Sequence, residues 1–269
     1  MIELNDEYLI KIDRTSSKGN QLKWRINDTW YKADFNGYEG LSEYVVSKLL
    51  KYSSINTNEY IDYSLGQVKY KSSIINTCIS SNFLNDGDSV ITILRLLETY
   101  DSNFFDVYDS LVTIKEKAKY LIDTVVSLTG LKDFGEYIHK LTVIDGLFLN
   151  EDRHLHNIAV IRKQDSTFDY CPIFDNGASL LSDTRLDYPF SENTIDLIKS
   201  VKSKTFNAYF EDIIDSMEQL YPSNISFCFT DEIINEILKD VTIYDEKVIK
   251  RVKHVLLYQK NKYEYFFWK

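Results

Sequence analysis

In the run Asn150-Glu151-Asp152-Arg153-His154-Leu155-His156-Asn157 an Asp is followed five residues later by an Asn, and eighteen residues beyond that Asn stands the Asp of Phe174-Asp175-Asn176-Gly177. An Asp, an Asn and a second Asp ahead of a Gly, separated by one hairpin, are side chains that suit metal-dependent phosphoryl transfer. One carboxylate orients an acceptor hydroxyl. The Asn and the second Asp, as hard oxygen donors, hold Mg²⁺ at the octahedral positions that nucleotide phosphates leave open. The competing reading is a polar loop whose Asp and Asn cap turns, the commoner use of both residue types. Either half alone leaves that reading open; both halves at this spacing argue against it.

Elements must deliver these residues. Tyr137, Leu141, Ile144 and Phe148 recur at helical spacing and predict a helix that brings the chain to Asn150. Residues 158–161 read as a buried strand, 162–167 as a turn and 170–174 as a returning strand, a hairpin that sets Asn157 beside Asp175. Upstream, 4–13 are strand-like until Thr15-Ser16-Ser17-Lys18-Gly19-Asn20-Gln21-Leu22-Lys23 interrupts them. Such a loop approaches phosphates through backbone N–H groups, although a Ser-rich turn with one Gly is also an ordinary turn. Trp24, Ile26, Trp30 and Tyr31 then suggest a hairpin turning at Asn27-Asp28, with Lys32 on its second strand. Over 41–50, Leu41, Tyr44, Val45 and Leu49 mark a helix with Glu43 on the adjoining flank. A strand Lys followed by a helix Glu is how kinase folds fix a phosphate-binding ammonium; the alternative leaves Lys32 solvated and Glu43 facing water.

Residues 67–70 and 74–79 read as two more strands, after which Asn85-Asp86-Gly87-Asp88 is a turn-rich break. That break divides a strand-rich lobe, 1–84, from a helical lobe, 85–269, and predicts an α+β bilobed fold. Main-chain groups over 78–82, which include Cys78 and Ser80, stand where an adenine would be read. Beyond the break, Leu111, Ile114, Ala118, Leu121, Ile122 and Val125 form one helical face that stops at Gly130. Ile233, Ile234, Ile237 and Leu238 follow a cap at Thr230, and Val248, Ile249, Val252, Val255 and Leu256 follow Asp245.

Composition narrows the function classes. The 269 residues carry 41 acidic against 31 basic side chains, a formal charge of −10, which argues against a protein that coats nucleic acid. The amino terminus is acidic with no apolar run, and no stretch of 18 apolar residues occurs, so neither a signal peptide nor a membrane span is expected. The expectation is a cytoplasmic protein, with a secreted effector left open. Cys78, Cys171 and Cys228 are odd in number and far apart, which reads as reduced and mostly buried thiols. His154 and His156 lack a third ligand at zinc-like spacing, which points to a supporting part rather than to metal.

Taken in order, these pieces resemble the HipA-like serine/threonine kinases, whose fold is similar to that of the phosphatidylinositol kinases. Residues 16–23 resemble the family's Ser-x-x-Gly-x-Gln-x-Lys phosphate loop, Tyr31-Lys32 the strand bearing the ATP lysine, and Ser42-Glu43-Tyr44-Val45-Val46 the helix after it. Residues 150–157 resemble the catalytic loop and Pro172 to Gly177 the metal-binding strand end. The resemblance implies Asp152 as the catalytic Asp and Asn157 and Asp175 as Mg²⁺ ligands. It implies a nucleotide site drawn from Ser16, Ser17, Gly19, Gln21, Lys23, Lys32, Glu43, Cys78, Ser80, His154, Asn157 and Asp175. The cofactors implied are ATP and Mg²⁺. The loop serines Ser16 and Ser17 are the implied autophosphorylation sites. The implied partners are a protein substrate, in toxin-type members a translation factor such as an aminoacyl-tRNA synthetase, and an antitoxin protein. Fuller members carry a small subdomain ahead of the phosphate loop, where this sequence has only fourteen residues before Thr15. A lipid or small-molecule kinase and a catalytically silent binding module are the alternatives; the low pI weighs against an anionic lipid headgroup.

Overall fold

The computed structural model describes residues 2–10, 21–222 and 224–268. Its front half is a five-stranded sheet of β1 (Ile2–Leu4), β2 (Lys23–Ile26), β3 (Thr29–Ala33), β4 (Ser64–Tyr70) and β5 (Ser73–Ser81), in the order β1-β4-β5-β3-β2. β1 runs parallel to β4 and the other pairs are antiparallel. The β2–β3 hairpin turns at Asn27, whose φ of 51° lies in the left-handed region that Asn enters more readily than most residues. Alternation then sorts the side chains. Tyr31 and Ala33 join Leu4, Trp24, Val68 and Tyr70 in an apolar cluster, which leaves Lys32 on the opposite side of β3. Lys23 is the direct cross-strand partner of Lys32.

Helix α1 (Glu39–Leu50) packs on this sheet and on the helical half at once: Leu41, Val45, Val46, Leu49 and Leu50 belong to the main core. Glu43, expected on a flank, is 1% exposed. Past the 85–88 turn come β6 (Ser89–Thr92), α2 (Ile93–Tyr100), α3 (Phe104–Ser110), α4 (Ile114–Thr129) and α5 (Phe134–Phe148). The strands β7 (Ala159–Arg162) and β8 (Phe168–Tyr170) follow, then α6 (Thr194–Ser200), α7 (Phe210–Glu218), α8 (Asp231–Lys239) and α9 (Glu246–Lys262). α5 is the centre of this half, packed against α4, α7 and α9. Among the described residues no helix is long and apolar enough to cross a membrane.

Several boundaries depart from the sequence expectation for local reasons. The returning strand is Phe168–Tyr170, not 170–174. Lys163 N–H donates to the Thr167 carbonyl at 2.9 Å and closes a tight turn, so pairing starts at Arg162 with Phe168. The chain then leaves to bond Glu59 and Ile61 through Ile173. α4 starts at Ile114 because Thr113 and Glu116 form a reciprocal capping box; Leu111 instead ends α3. Of 4–13, the described part holds the end of β1 and a bridge from Leu9 to Trp24. Gly130, at φ 76°, ends α4, and the Thr230 hydroxyl caps α8, both as expected.

The entry to α1 is held closely. A Cβ on Gly37 would stand 1.9 Å from the Ser182 carbonyl oxygen, so only Gly permits this approach of the β3–α1 connection to the segment after Gly177. Asp34 Oδ1 accepts the Gly40 N–H at 2.6 Å while its Oδ2 is shielded from solvent. Burial raises the Asp34 carboxyl to about 7, with the Glu39 charge adding to the rise and the Gly40 amide and Tyr244 hydroxyl opposing it. A carboxyl that ionises later folded than unfolded loses stability as pH rises from about 4 to about 7. Asp34→Asn keeps an acceptor for Gly40 and removes the ionisation. Denaturant unfolding is expected to show this variant gaining roughly 1–4 kcal/mol on the wild type between pH 5 and pH 8; a pH-independent difference would contradict the assignment.

Candidate active site

The side chains singled out by spacing meet around one ammonium. Lys32 Nζ lies 2.7 Å from Glu43 Oε1 and 3.3 Å from Asp175 Oδ1, and donates to the Tyr63 hydroxyl at 3.3 Å. Burial alone would pull this ammonium down, but Glu43, then Tyr63 and Asp175, hold it well above the ordinary lysine range. Burial likewise works against the Asp175 carboxylate, and Lys32, Lys23 and Arg153 overcome it, leaving Asp175 well below the usual carboxylate range. Both groups stay charged at neutral pH. The second oxygen of Glu43 accepts the Asn176 N–H at 2.9 Å, so one buried carboxylate positions Lys32 and pins the residue after Asp175. Asp175 itself has φ 61°, a left-handed conformation that a non-glycine residue keeps only where surrounding bonds enforce it.

Arg153 supplies much of that enforcement. Its guanidinium, 3% exposed, bonds Asp145 through Nε at 3.1 and 3.2 Å and through Nη2 at 3.0 Å. Nη2 also reaches Asn176 Oδ1 at 2.6 Å, and Nη1 donates to the carbonyls of Asn157, at 3.3 Å, and of Phe174. Asn150 adds bonds from Nδ2 to Asp145 and to the Asp175 carbonyl, at 3.1 and 3.3 Å. A planar five-donor fork thus ties α5, the 150–157 loop and the 174–176 segment into one body.

Asp152 sits at the surface of this body. Its Oδ1 is 2.6 Å from Lys204 Nζ and its Oδ2 is 3.8 Å from His154 Nε2. Asn157 donates its amide to the Asp152 carbonyl at 2.9 Å, which turns Oδ1 away from that bond with no donor to it among the described residues. An ionised carboxylate at Asp175 and an amide oxygen at Asn157 suit a hard cation that takes its other ligands from phosphate and water. The donor set therefore fits Mg²⁺ with a nucleotide phosphate, and Lys32 and Lys23 supply the positive charge that such phosphates need.

The remaining expected positions fall as follows. Ser16, Ser17 and Gly19 lie outside the described residues. Gln21 donates its side-chain amide to the Ala33 carbonyl at 2.6 Å. Cys78 is fully buried in β5 opposite Lys32, and Ser80 lies beyond the last residue that pairs with β4. His154 stacks edge-on against His156, with Nδ1 buried and unbonded. Cys171 is buried and Cys228 exposed. Sequence reasoning did not find Arg153, Asp145, Tyr63 or Lys204. Glu-Asp-Arg in a polar loop carries no sign of which side chain turns inward, and Lys204 is 52 residues from Asp152.

Removing one partner of a buried ion pair strands the other charge. Arg153→Met is expected to lower stability by about 3–5 kcal/mol, and adding Asp145→Asn to recover part of that loss. Arg153→Lys is expected to behave closer to Met than to Arg, because an ammonium cannot span five acceptors. Chemical denaturation of the four proteins checks this; a lysine variant as stable as the wild type would contradict the fork's role.

No protein-family model matches the sequence, and no curated protein matches it. Solved structures do. The crystal structure of the Helicobacter pylori proinflammatory kinase CtkA aligns with a TM-score of 0.61 at 18% identity, over 97% of this chain and 94% of that one. HipA of Shewanella oneidensis MR-1, from a toxin–antitoxin complex with HipB and operator DNA, aligns with a TM-score of 0.50 at 14% identity, over 97% of this chain and 68% of that one. The fold is HipA-like and kinase-like: α+β and bilobed, with a strand-rich lobe and a mainly helical one.

Proposed function

We propose that the chain is an ATP- and Mg²⁺-dependent kinase that transfers the γ-phosphoryl group to a serine or threonine hydroxyl of a protein. The observation that carries this is the Lys32 ammonium held between Glu43 and Asp175, with the residues on either side of Asp175 bound through Arg153 to the loop bearing Asp152 and Asn157. The N-lobe is 1–84 and the C-lobe 85–269. Lys32 and Lys23 neutralise phosphate charge, Glu43 fixes the direction of Lys32, and Asp152 takes the acceptor hydroxyl's proton. Asn157 and Asp175 would hold Mg²⁺, which when bound screens the phosphates from one another. Catalysis is positioning and fixed charge.

The resemblance to HipA-like kinases extends this proposal to a toxin whose partner is an antitoxin protein. Its substrate would be a translation factor such as an aminoacyl-tRNA synthetase, with self-phosphorylation at Ser16 or Ser17 as its control. A phosphate on that loop adds roughly −1.5 to −2 charge where ATP phosphates must sit.

Purified protein with Mg²⁺ and γ-labelled ATP, with and without casein as a generic acceptor, tests the reading. Label is expected on the chain or on casein, falling about 10²–10⁴-fold in Asp152→Asn with an unchanged unfolding midpoint. Mass spectrometry is expected to place phosphate on Ser16 or Ser17 in the wild type alone. Near-normal transfer by Asp152→Asn, or no transfer and no Mg²⁺-dependent ATP binding by the wild type, overturns it.

A further inference from the structure

We infer that Lys204 is a catalytic residue that contacts the transferring phosphoryl group. Its placement is built into the backbone. The Lys204 N–H donates to the Glu151 carbonyl at 2.9 Å, and the Thr205 hydroxyl donates to the Arg153 carbonyl, so the two residues flanking Asp152 each accept a bond from this segment. The segment is itself closed by Ser203 N–H on the Ala208 carbonyl at 2.9 Å, with Asn207 in the left-handed region at φ 50°. An exposed ion pair usually contributes almost nothing to stability. Lys204 and Asp152 keep 38% and 28% of their side chains exposed, so the stability of their pair does not explain why the chain brings a lysine here.

Three other cations of this half of the site have partners of their own. Arg153 spends its donors on Asp145, Asn176 and two carbonyls, and faces the interior. Lys32 is taken by Glu43, Asp175 and Tyr63. Lys202 lies over the Tyr209 ring. Lys204 places one N–H on Asp152 Oδ1, and its other two find no acceptor among the described residues. Holding Oδ1 leaves Oδ2 to the acceptor hydroxyl, and the free N–H bonds point positive charge at whatever anion approaches Asp152. In the transfer, the acceptor O–H proton passes to Asp152 and its oxygen forms the new bond to the γ-phosphorus. The bond from that phosphorus to the β,γ-bridging oxygen breaks, and its electron pair leaves with ADP. Lys204 takes no part in that proton transfer and stabilises the charge on the equatorial oxygens.

This assignment rests on the kinase reading above, and the test separates the two. In Lys204→Met, kcat for transfer to casein or to the chain itself is expected to fall about 10²–10³-fold. Calorimetric affinity for Mg²⁺·ATP and the unfolding midpoint are expected to stay within experimental error of the wild type. Lys204→Arg, which keeps the charge, is expected to recover at least tenfold of the loss; a bracing role would show no such recovery. If the Met variant does not fold, Lys204→Gln carries the same comparison. A kcat within threefold of the wild type overturns the role of Lys204 and leaves the kinase reading standing, as does an equal loss in ATP affinity. A wild type without transfer or Mg²⁺·ATP binding overturns both.

Discussion

An ammonium taken out of water must be met by negative charge, and Lys32 is met by two carboxylates from different parts of the chain, Glu43 on α1 and Asp175 in the segment that follows β8. Each contact constrains an element. Glu43 can reach Lys32 only if α1 lies on the sheet face that Lys32 shares with Lys23, and its other oxygen reaches the Asn176 amide only if the segment after the hairpin lies under α1. That segment is fastened to the start of α1 by further bonds: Tyr38 hydroxyl to the Leu180 carbonyl at 2.7 Å, Ser42 hydroxyl to the Ser179 carbonyl at 2.9 Å. The front sheet and the helical half are therefore registered against each other by the same charges that would receive a nucleotide.

The electrostatics fix the charges of this cluster in place. Two lysines directly opposite on neighbouring strands repel one another, and Glu43 and Asp175 offset that repulsion. A nucleotide phosphate near them would meet a positive field already fixed in direction, in a partly desolvated site where such fields act strongly. Backbone strain gathers in the same region. Leu149, Asp175, Leu180 and Leu181 all have φ between 56° and 61°, and three of them are buried leucines, which gain nothing from local side-chain bonding in that conformation. The Arg153 fork and the α1 bonds over-determine the path.

Much of this was legible in the residues. The turn at Asn27-Asp28 announces itself by residue type and puts Lys32 on the second strand; the structure adds that Lys32 faces away from the apolar cluster of Tyr31. The hairpin after Asn157 was visible as two apolar runs around a polar turn, although its second strand ends earlier than hydrophobicity suggests because Ile173 pairs with 59–61. The apolar stripe over 41–50 puts Glu43 on its flank, and the bonds of its two oxygens to Lys32 and to the Asn176 amide account for its burial there. Arg153 stands in a polar loop where residue type does not show which side chain turns inward. Lys204 belongs to an irregular stretch, 201–209, whose position depends on bonds to the 151–153 backbone, and no periodicity encodes such bonds. Helices α2, α3, α6 and α7 were not singled out, three of them being of eight residues or fewer and so too short for a clear helical stripe.

In the proposed function Lys32 and Glu43 act as one unit toward a nucleotide phosphate. Isothermal titration of Mg²⁺·ATP into the wild type, Lys32→Met, Glu43→Gln and the double variant measures this directly. The predicted result is weaker binding in each single variant, more so for Lys32→Met. The double variant is predicted to bind no worse than Lys32→Met alone, a coupling of about 1–3 kcal/mol. Additive losses, or an affinity indifferent to both changes, would contradict it.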